Sequence, residues 1–284
     1  MTEIHFKNKN YPALLKEIPD APASFFLRGE LPDPALPTVA IVGTRRLTRY
    51  GKQWTEKIAL ELARAGIIIV SGLARGIDTI AHKAALEAGM PTIAVLGTGI
   101  DDKTIFPQQN LQLARDIIDN GGAILSEYPA GTHGTKFTFP ARNRIVAGMS
   151  LGTLVTEAPV KSGALITARL ALDYNREVMA IPHPLGTWTG EGNNNILRKG
   201  AHLIRSAKDI LKVLSLEEMK SSAPSYNGED ESEKKILAIL NDSLHIDVII
   251  EKTRLPQQTA MTTLTMLELK GVVRNHGDMT FSKQ

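Results

Sequence analysis

Ser71-Gly72-Leu73-Ala74-Arg75-Gly76-Ile77-Asp78 is a glycine-punctuated segment leaving an apolar strand, Ile67–Ser71. The pattern recurs at Gly43-Thr44-Arg45-Arg46, Gly97-Thr98-Gly99 and Ser162-Gly163, so at least four such loops follow strands. Amides of a loop that opens a helix are unsatisfied donors, and the helix dipole adds positive potential there, so such loops hold phosphate. One small ligand needs one or two of them; several along one sheet edge suit an extended polyanion, and nucleic acid is the leading candidate. Arg45 directly follows the first glycine turn, where a guanidinium can fork onto a phosphate while neighbouring amides hold its other oxygens. The competing role for Arg45 is an ion pair with Asp78 or Glu157 that shapes the pocket. Arg75 has the same two roles open to it, phosphate contact or structural salt bridge.

The stretch Lys136-Phe137-Thr138-Phe139-Pro140-Ala141-Arg142-Asn143-Arg144 interleaves cations with aromatics. Single strands are held by charge tracking the backbone and by bases stacked on aromatic faces, each stack worth about 1–3 kcal/mol. Phe137 and Phe139 share a face if extended, with Lys136 reaching phosphate. Aromatics entering a helix also serve as core plugs, and Phe139, beside the apolar helix, is the expected plug on the residues alone. No loop carries Gly-x-Gly-x-x-Gly or Gly-x-x-x-x-Gly-Lys-Ser/Thr, which disfavours NAD and P-loop nucleotides. The seven histidines lack ligand spacing and cysteine is absent, so no metal or other cofactor is expected. Ser71, Ser126 and Ser162 have no evident His/Asp partner, and Gly-x-Ser-x-Gly is missing. Asp78, Asp101, Asp102, Glu127 and Glu157 could do acid–base work, but the expected roles are capping helices and orienting arginines.

These residues need a scaffold that brings their loops together. Apolar strands are expected at Val39–Val42, Ile67–Ser71, Thr92–Leu96, Ala123–Ser126, Thr153–Thr156, Glu177–Ile181 and His202–Ile204. Amphipathic helices are expected between them, at about Tyr50–Ala65, Ile77–Ala88, Gln108–Asn120, Ala141–Ala147, Ala164–Asn175 and Ala207–Leu214. Short strands alternating with helices imply right-handed crossovers and an α/β, doubly wound, mostly parallel sheet covered on both faces. In such a sheet the loops leaving the carboxyl ends of strands share one edge, where ligands bind.

Residues 1–38, rich in proline, read as a leading segment with a short helix near Tyr11–Glu17 and a strand at Phe25–Arg28. Residues 39–220 form the α/β domain. Residues 221–230, with Ser-Ser-Ala-Pro-Ser, lack periodic hydrophobes and read as a linker. Residues 231–284 show three helices (Ser232–Leu240, Ile246–Thr253, Pro256–Lys270) and then a hairpin, the order of a winged helix-turn-helix.

The chain has 284 residues, 43% of them hydrophobic, enough for one large domain and one small one. No apolar run approaches the roughly 20 residues of a membrane span, and the first residues show no secretory h-region; the expectation is a cytoplasmic protein without a membrane partner. The net charge of +3 is uneven: residues 229–284 hold 7 Lys+Arg against 9 Asp+Glu, which leaves 26 against 21 for residues 1–228. The basic surplus thus lies with the glycine loops, as an anionic partner favours, although charge alone decides nothing.

Taken together, these loops resemble the DNA-processing protein A family, also called DprA or Smf. The resemblance rests on Gly43-Thr44-Arg45, Ser71–Asp78, Gly97-Thr98-Gly99, Ser126-Glu127-Tyr128-Pro129, Phe139-Pro140-Ala141-Arg142-Asn143-Arg144-Ile145, Glu157-Ala158 through Ser162-Gly163 to Ala168, and Gly190 to Gly200. It spans about Tyr11–Leu214, and the trailing helices are similar to the winged helix many members carry. It implies an extended Rossmann-like fold that binds single-stranded DNA, homodimerises, and loads the RecA recombinase onto DNA taken up in natural transformation, displacing single-strand-binding protein. It further implies no catalysis. Arg45, Lys136 and Phe139 would hold phosphate and base, with backbone donors of Gly43, Gly72 and Gly163 lining the same pocket; Phe139 then leaves the core. The full set of expected single-strand contacts is Gly43, Thr44, Arg45, Ser71, Gly72, Arg75, Lys136, Phe139, Arg142, Asn143, Arg144, Ser162 and Gly163.

Three departures stand against the family pattern. Ile181-Pro182-His183-Pro184-Leu185-Gly186 has His-Pro where the family usually has glycine directly after the proline, so a rebuilt loop is expected. Of the N-terminal helical domain of many members, only the last segment is expected here. The recognition helix Pro256–Glu268 has no Lys or Arg, whereas a winged helix gripping duplex DNA normally brings phosphate-binding cations; a protein-contact or regulatory module is expected instead, with weak DNA binding as the alternative.

Two other functions compete. A nucleotide phosphoribohydrolase uses the same sheet architecture, with a signature resembling Pro-Gly-Gly-x-Gly-Thr-x-x-Glu. Here Gly148 to Glu157 lacks the first prolyl-glycines and Glu157 falls one residue late, which turns its side chain to the other face. A transcription factor using the winged helix is disfavoured by the acidic balance of residues 229–284.

Overall fold

The computed structural model describes residues 1–216, 228, 230–240 and 243–283. Residues 1–216 and the C-terminal residues belong to two separate compact units.

The first unit begins with strand β1 (Thr2–His5), one helical turn α1 (Ala13–Lys16) and strand β2 (Ser24–Gly29). Strands β3 (Thr38–Val42), β4 (Ile68–Ser71), β5 (Thr92–Leu96), β6 (Ala123–Ser126), β7 (Gly152–Val155), β8 (Glu177–Ala180) and β9 (His202–Leu203) follow. The nine form one sheet in the order β1-β2-β6-β5-β4-β3-β7-β8-β9. From β6 to β9 every pairing is parallel. Within residues 1–38, β1 pairs with β2 and β2 with β6, both antiparallel, so this leading segment extends the same sheet. Proline-rich composition hid this because only two short stretches pair, and Phe25 of β2 is fully buried.

Helices α2 (Arg49–Arg64), α3 (Ile77–Glu87), α4 (Leu111–Asp119), α5 (Thr138–Gly148), α6 (Gly163–Asp173), α7 (Glu191–Arg198) and α8 (Ala207–Val213) connect the strands. Alternation along a strand sends successive side chains to opposite faces. Accordingly, Val39 and Ile41 pack with Ile58 and Leu62 of α2 and Ile77 of α3. Ala40 and Val42 pack with Ile145 and Val146 of α5 and Ala164 and Ala168 of α6. Both faces are covered, which is why the strands read as continuous apolar runs. The chain runs outward in two directions from β3, to β4 on one side and β7 on the other. This reversal opens a crevice between the loops that leave β3 and β7.

Helix α7 is absent from the sequence reading. Near the β9 edge of the sheet, Ile204, Ile210 and Leu211 are buried in the core, and Leu203 is exposed.

The second unit holds α9 (Glu231–Ile239), β10 (Leu244–His245), α10 (Ile246–Thr253), α11 (Gln257–Leu269), β11 (Val273–Asn275) and β12 (Thr280–Lys283). Its strands pair antiparallel in the order β10-β12-β11, a small wing with one strand more than the expected hairpin. Asp230 caps α9 by accepting from the Glu233 amide at 2.8 Å. Ile236, Ile249, Leu264, Leu267 and Phe281 form its core. Most of the 221–230 stretch read as a linker lies outside the described residues.

Candidate nucleic-acid interface

A cleft of about 550 Å³ opens over the crevice between β3 and β7. Its walls come from the β3–α2 loop (Gly43 to Arg46), the β4–α3 loop (Gly72, Ala74, Asp78), the start of α5 (Lys136 to Asn143) and the β7–α6 loop (Pro159 to Gly163). Four segments distant in sequence meet because each leaves, or packs onto, the carboxyl edge of the same sheet.

The β3–α2 and β4–α3 loops are locked together. Gly76 has φ +82°, and a Cβ there would stand 2.3 Å from the Thr44 carbonyl oxygen. Glycine therefore lets the second loop dock on the first, where the Ile77 amide donates to Thr44 O at 3.2 Å. Asp78 stands at the start of α3, and its Oδ2 accepts from the amides of Gly72 at 3.1 Å and Ala74 at 3.3 Å. Burial pushes its carboxyl above the ordinary value, opposed by the Arg142 guanidinium and those amides.

Arg142 is buried beneath this loop. Its guanidinium donates to the carbonyls of Gly72, at 2.7 Å, and Val95. Burial brings its pKa down to about 10, so it keeps its charge; Nη1 makes both backbone bonds and Nε donates to Asn143 Oδ1 at 3.3 Å. Arg142 lines the cleft and, through its bonds to the Gly72 and Val95 carbonyls, holds up its floor. A signal was available, because Arg142 stands three and four residues before Ile145 and Val146 and shares their helical face. The expectation that Arg144 contacts the strand is corrected. It lies off the cleft and pairs with Glu127 at 2.6 Å and Asp20 at 3.7 Å. Ser71 is fully buried and donates to Ile41 O at 2.6 Å, so it has no ligand role. Arg75 is exposed, but it does not line the cleft.

The remaining expected residues do converge. Arg45 is exposed, and its guanidinium lies 5.7 Å over the Phe139 ring with no ion pair among the described residues. The competing role, a salt bridge to Asp78 or Glu157, is not what Arg45 does. Phe139 is half-buried, tilted on Phe106 at 5.7 Å and pressed against Gly97 and Gly134. It is thus part plug and part open face, intermediate between the two sequence readings. Lys136 is exposed on the rim beside Phe137, with Nζ 5.1 Å over that ring. The Thr44 hydroxyl accepts from the Arg46 amide at 3.1 Å. Ser162 caps α6 by accepting from Ala164 N at 3.3 Å, and Gly163 opens that helix with free space where a Cβ would sit. Asn143 braces this turn by donating to Gly163 O at 3.3 Å.

Arg46, Lys161 and Trp188 also line the cleft and were missed. Lys161 directly precedes the helix-opening Ser162-Gly163, a position that could have pointed to it. Four exposed cations, Arg45, Arg46, Lys136 and Lys161, thus surround the opening. Among the described residues the sole carboxylate lining the cleft, Asp78, is turned into the loop amides.

The five acidic loop residues are all committed to structure. Asp101 accepts from Thr104 Oγ1 at 2.5 Å and Gly131 N at 2.8 Å. Asp102 pairs with Arg28 and Arg115, and Glu127 with Arg144. Glu157 is fully buried, and its Oε2 accepts from Thr48 N at 2.9 Å where α2 begins. It is not among the residues lining the cleft, and so does not offer the acid that a phosphoribohydrolase reading requires. Among the described residues no group of three or more His, Asp or Glu is arranged to hold a metal ion.

The profile of the DNA recombination-mediator protein A family matches residues 2–215, and that of the DprA winged helix domain matches residues 220–279. The chain belongs to this family. Protein Smf of Escherichia coli is 38% identical over 270 residues, covering 92% of this chain and 72% of that protein. DNA processing protein DprA of Streptococcus pneumoniae is 44% identical over 201 residues, 71% of this chain and 70% of that one. The crystal structure of DNA processing protein A from Streptococcus pneumoniae superposes with a TM-score of 0.69 at 40% identity, covering 74% of this chain and 73% of that one. That of Helicobacter pylori, described for its single-stranded DNA binding mode, gives 0.66 at 36%, covering 73% and 94%. The α/β sheet with a C-terminal winged helix is the fold of this family, its role is in DNA processing, and it is a family of mediators, not of enzymes. Among the described residues no helix is long and apolar enough to cross a membrane.

Proposed function

We propose that the cleft binds single-stranded DNA and that the protein, as a homodimer, loads the RecA recombinase onto that strand and displaces single-strand-binding protein, as in natural transformation. The observation that carries this reading is the convergence of four exposed cations and the half-open ring of Phe139 on one cleft. Cations beside an aromatic face are what a single strand needs, charge for its backbone and a π-surface for its bases. Loop amides at Gly43 and Gly163 add sequence-independent phosphate donors. The Helicobacter pylori relative described for binding single-stranded DNA supports the same ligand here. RecA loading, dimerisation and displacement of single-strand-binding protein follow from family membership and rest on it alone.

The test is titration of a fluorescent oligo-dT and its duplex with wild type and Arg45→Ala at two salt concentrations. Tight, salt-sensitive single-strand binding, largely lost in Arg45→Ala, is expected. Binding that ignores salt or prefers duplex would sink the proposal.

A further inference from the structure

The loop after β8 carries the His-Pro departure, and the structure gives it a rigid form. His183 is buried, with Nε2 2.9 Å from Thr156 O and its ring edge-on to Tyr50 at 4.9 Å. Asn194 exchanges two hydrogen bonds with the His183 backbone, donating to its carbonyl at 3.0 Å and accepting from its amide at 3.1 Å. Gly190 sits flat on the same ring: a Cβ there would stand 2.1 Å from His183 Cγ. Thr189 and Gly190 are buried, yet the residue before them, Trp188, is 63% exposed and lines the cleft.

An indole left in water on an anchored turn needs a reason, since Trp is among the residues that gain most from burial. Trp54 shows the alternative in the same chain: it is half-buried, against Tyr50 at 6.2 Å and beneath Lys57 at 5.4 Å. No aromatic ring among the described residues packs on Trp188.

The two aromatic side chains that line the cleft, Phe139 and Trp188, are held by different strands. Phe139 packs on Gly97, which follows β5, whereas Trp188 follows β8. In the order β5-β4-β3-β7-β8 the two strands stand four spacings apart, roughly 19 Å at about 4.8 Å per spacing. The cations Arg45 and Lys161 stand on the loops between them. We infer that Trp188 is a second base-stacking platform, so that a single strand runs across the sheet edge from Phe139 to Trp188 with its phosphates over the intervening loops. This rests on the single-strand reading of the cleft and adds a contact, a direction and a length to it.

The experiment follows intrinsic tryptophan fluorescence while unlabelled dT12 is titrated into wild type, Trp188→Leu, Trp188→Phe and Arg45→Ala, with a thermal melt of each. The expected result is quenching in wild type that vanishes in Trp188→Leu, where Trp54 remains as an internal control. By fluorescence anisotropy with labelled dT12, Trp188→Leu should bind on the order of tenfold more weakly. Trp188→Phe should recover most of that loss, and all melts should coincide. Unchanged binding in Trp188→Leu alongside loss in Arg45→Ala would overturn the platform while leaving the single-strand reading intact. A lowered melting temperature that Trp188→Phe shares would also overturn it, by making the residue structural. Absence of binding by wild type itself would remove the single-strand reading and this inference with it.

Discussion

The Arg142 guanidinium occupies the space that a side chain at Gly72 would need. A Cβ on Gly72 would stand 2.5 Å from Arg142 Nη2, and Arg142 cannot swing aside because it donates to the carbonyls of Gly72 and Val95. Gly72→Ala is therefore expected to destabilise the α/β unit by about 1–3 kcal/mol, the usual cost of overpacking. Arg142→Met should also destabilise it, because two buried carbonyls lose their donor. Denaturant melts check both, and a melt identical to wild type for either variant would refute this account of the floor.

Arg45→Ala should behave in the opposite way. Its side chain is exposed and makes no ion pair among the described residues, so its removal leaves the melt unchanged. Oligo-dT binding should weaken on the order of tenfold or more, and the slope of log affinity against log salt should shrink by about 0.7, the share of one phosphate contact on a single strand. Arg144→Ala is the matched control. Its partners are Glu127 and Asp20, outside the cleft, so the salt slope should stay as in wild type.

Gly51 and Glu157 should be energetically coupled. A Cβ on Gly51 would stand 1.8 Å from Glu157 Oε2, and that carboxylate is buried and accepts from Thr48 N. Gly51→Ala is expected to be strongly destabilising, while Gly51→Ala combined with Glu157→Ala should cost clearly less than the sum of the two. Additive losses in a double-mutant cycle would show that the contact is not what constrains Gly51.

His82 should make the protein acid-sensitive. It is fully buried beside Thr92, whose hydroxyl donates to Ile69 O and so accepts from His82 Nδ1 at 2.9 Å. Nε2 is buried without a partner among the described residues, and burial, aided by Arg142, lowers the pKa from 6.5 to about 3. The unfolded chain therefore binds a proton between these values that the folded one does not. Stability is fully present above about pH 6.5 and falls as the pH drops toward 3, by at most about 1.4 kcal/mol per pH unit from this group. Asp78, with its raised pKa, acts in the other direction, losing its contribution as pH rises through its folded value. In chemical melts at pH 7, 6 and 5, His82→Gln should flatten the decline, and an unaltered slope would exclude His82 as its source.

The parallel strands were legible because burial on both faces demands apolar residues at every position, as in Ile68-Ile69-Val70. The glycine loops were legible for a different reason: a helix opening directly after a strand leaves a local signature of turn residues. From these two patterns the α/β class and the shared loop edge follow, whereas the grouping of Arg45, Lys136, Phe139 and Gly163 in one pocket is what the family resemblance implies. Helix α7 was not legible. Its run Asn193-Asn194-Asn195 has poor helix propensity, and it is tertiary contact that holds it, with Asn193 Nδ2 donating to Val155 O at 2.9 Å and Ile181 O at 3.0 Å.

What the residues alone determined was the set of loops and their chemistry, because both depend on neighbours in the chain. Which cations face the ligand was decided only by the tertiary structure. Arg45, Arg142 and Arg144 are equally charged in sequence, yet one lies exposed over Phe139 on the rim, one is buried under Gly72 and one is paired with Glu127. A guanidinium's role is set by the nearest acceptors in space. Those acceptors, the carbonyls of Gly72 and Val95 and the carboxylate of Glu127, come from strands and loops brought near only when the sheet assembles.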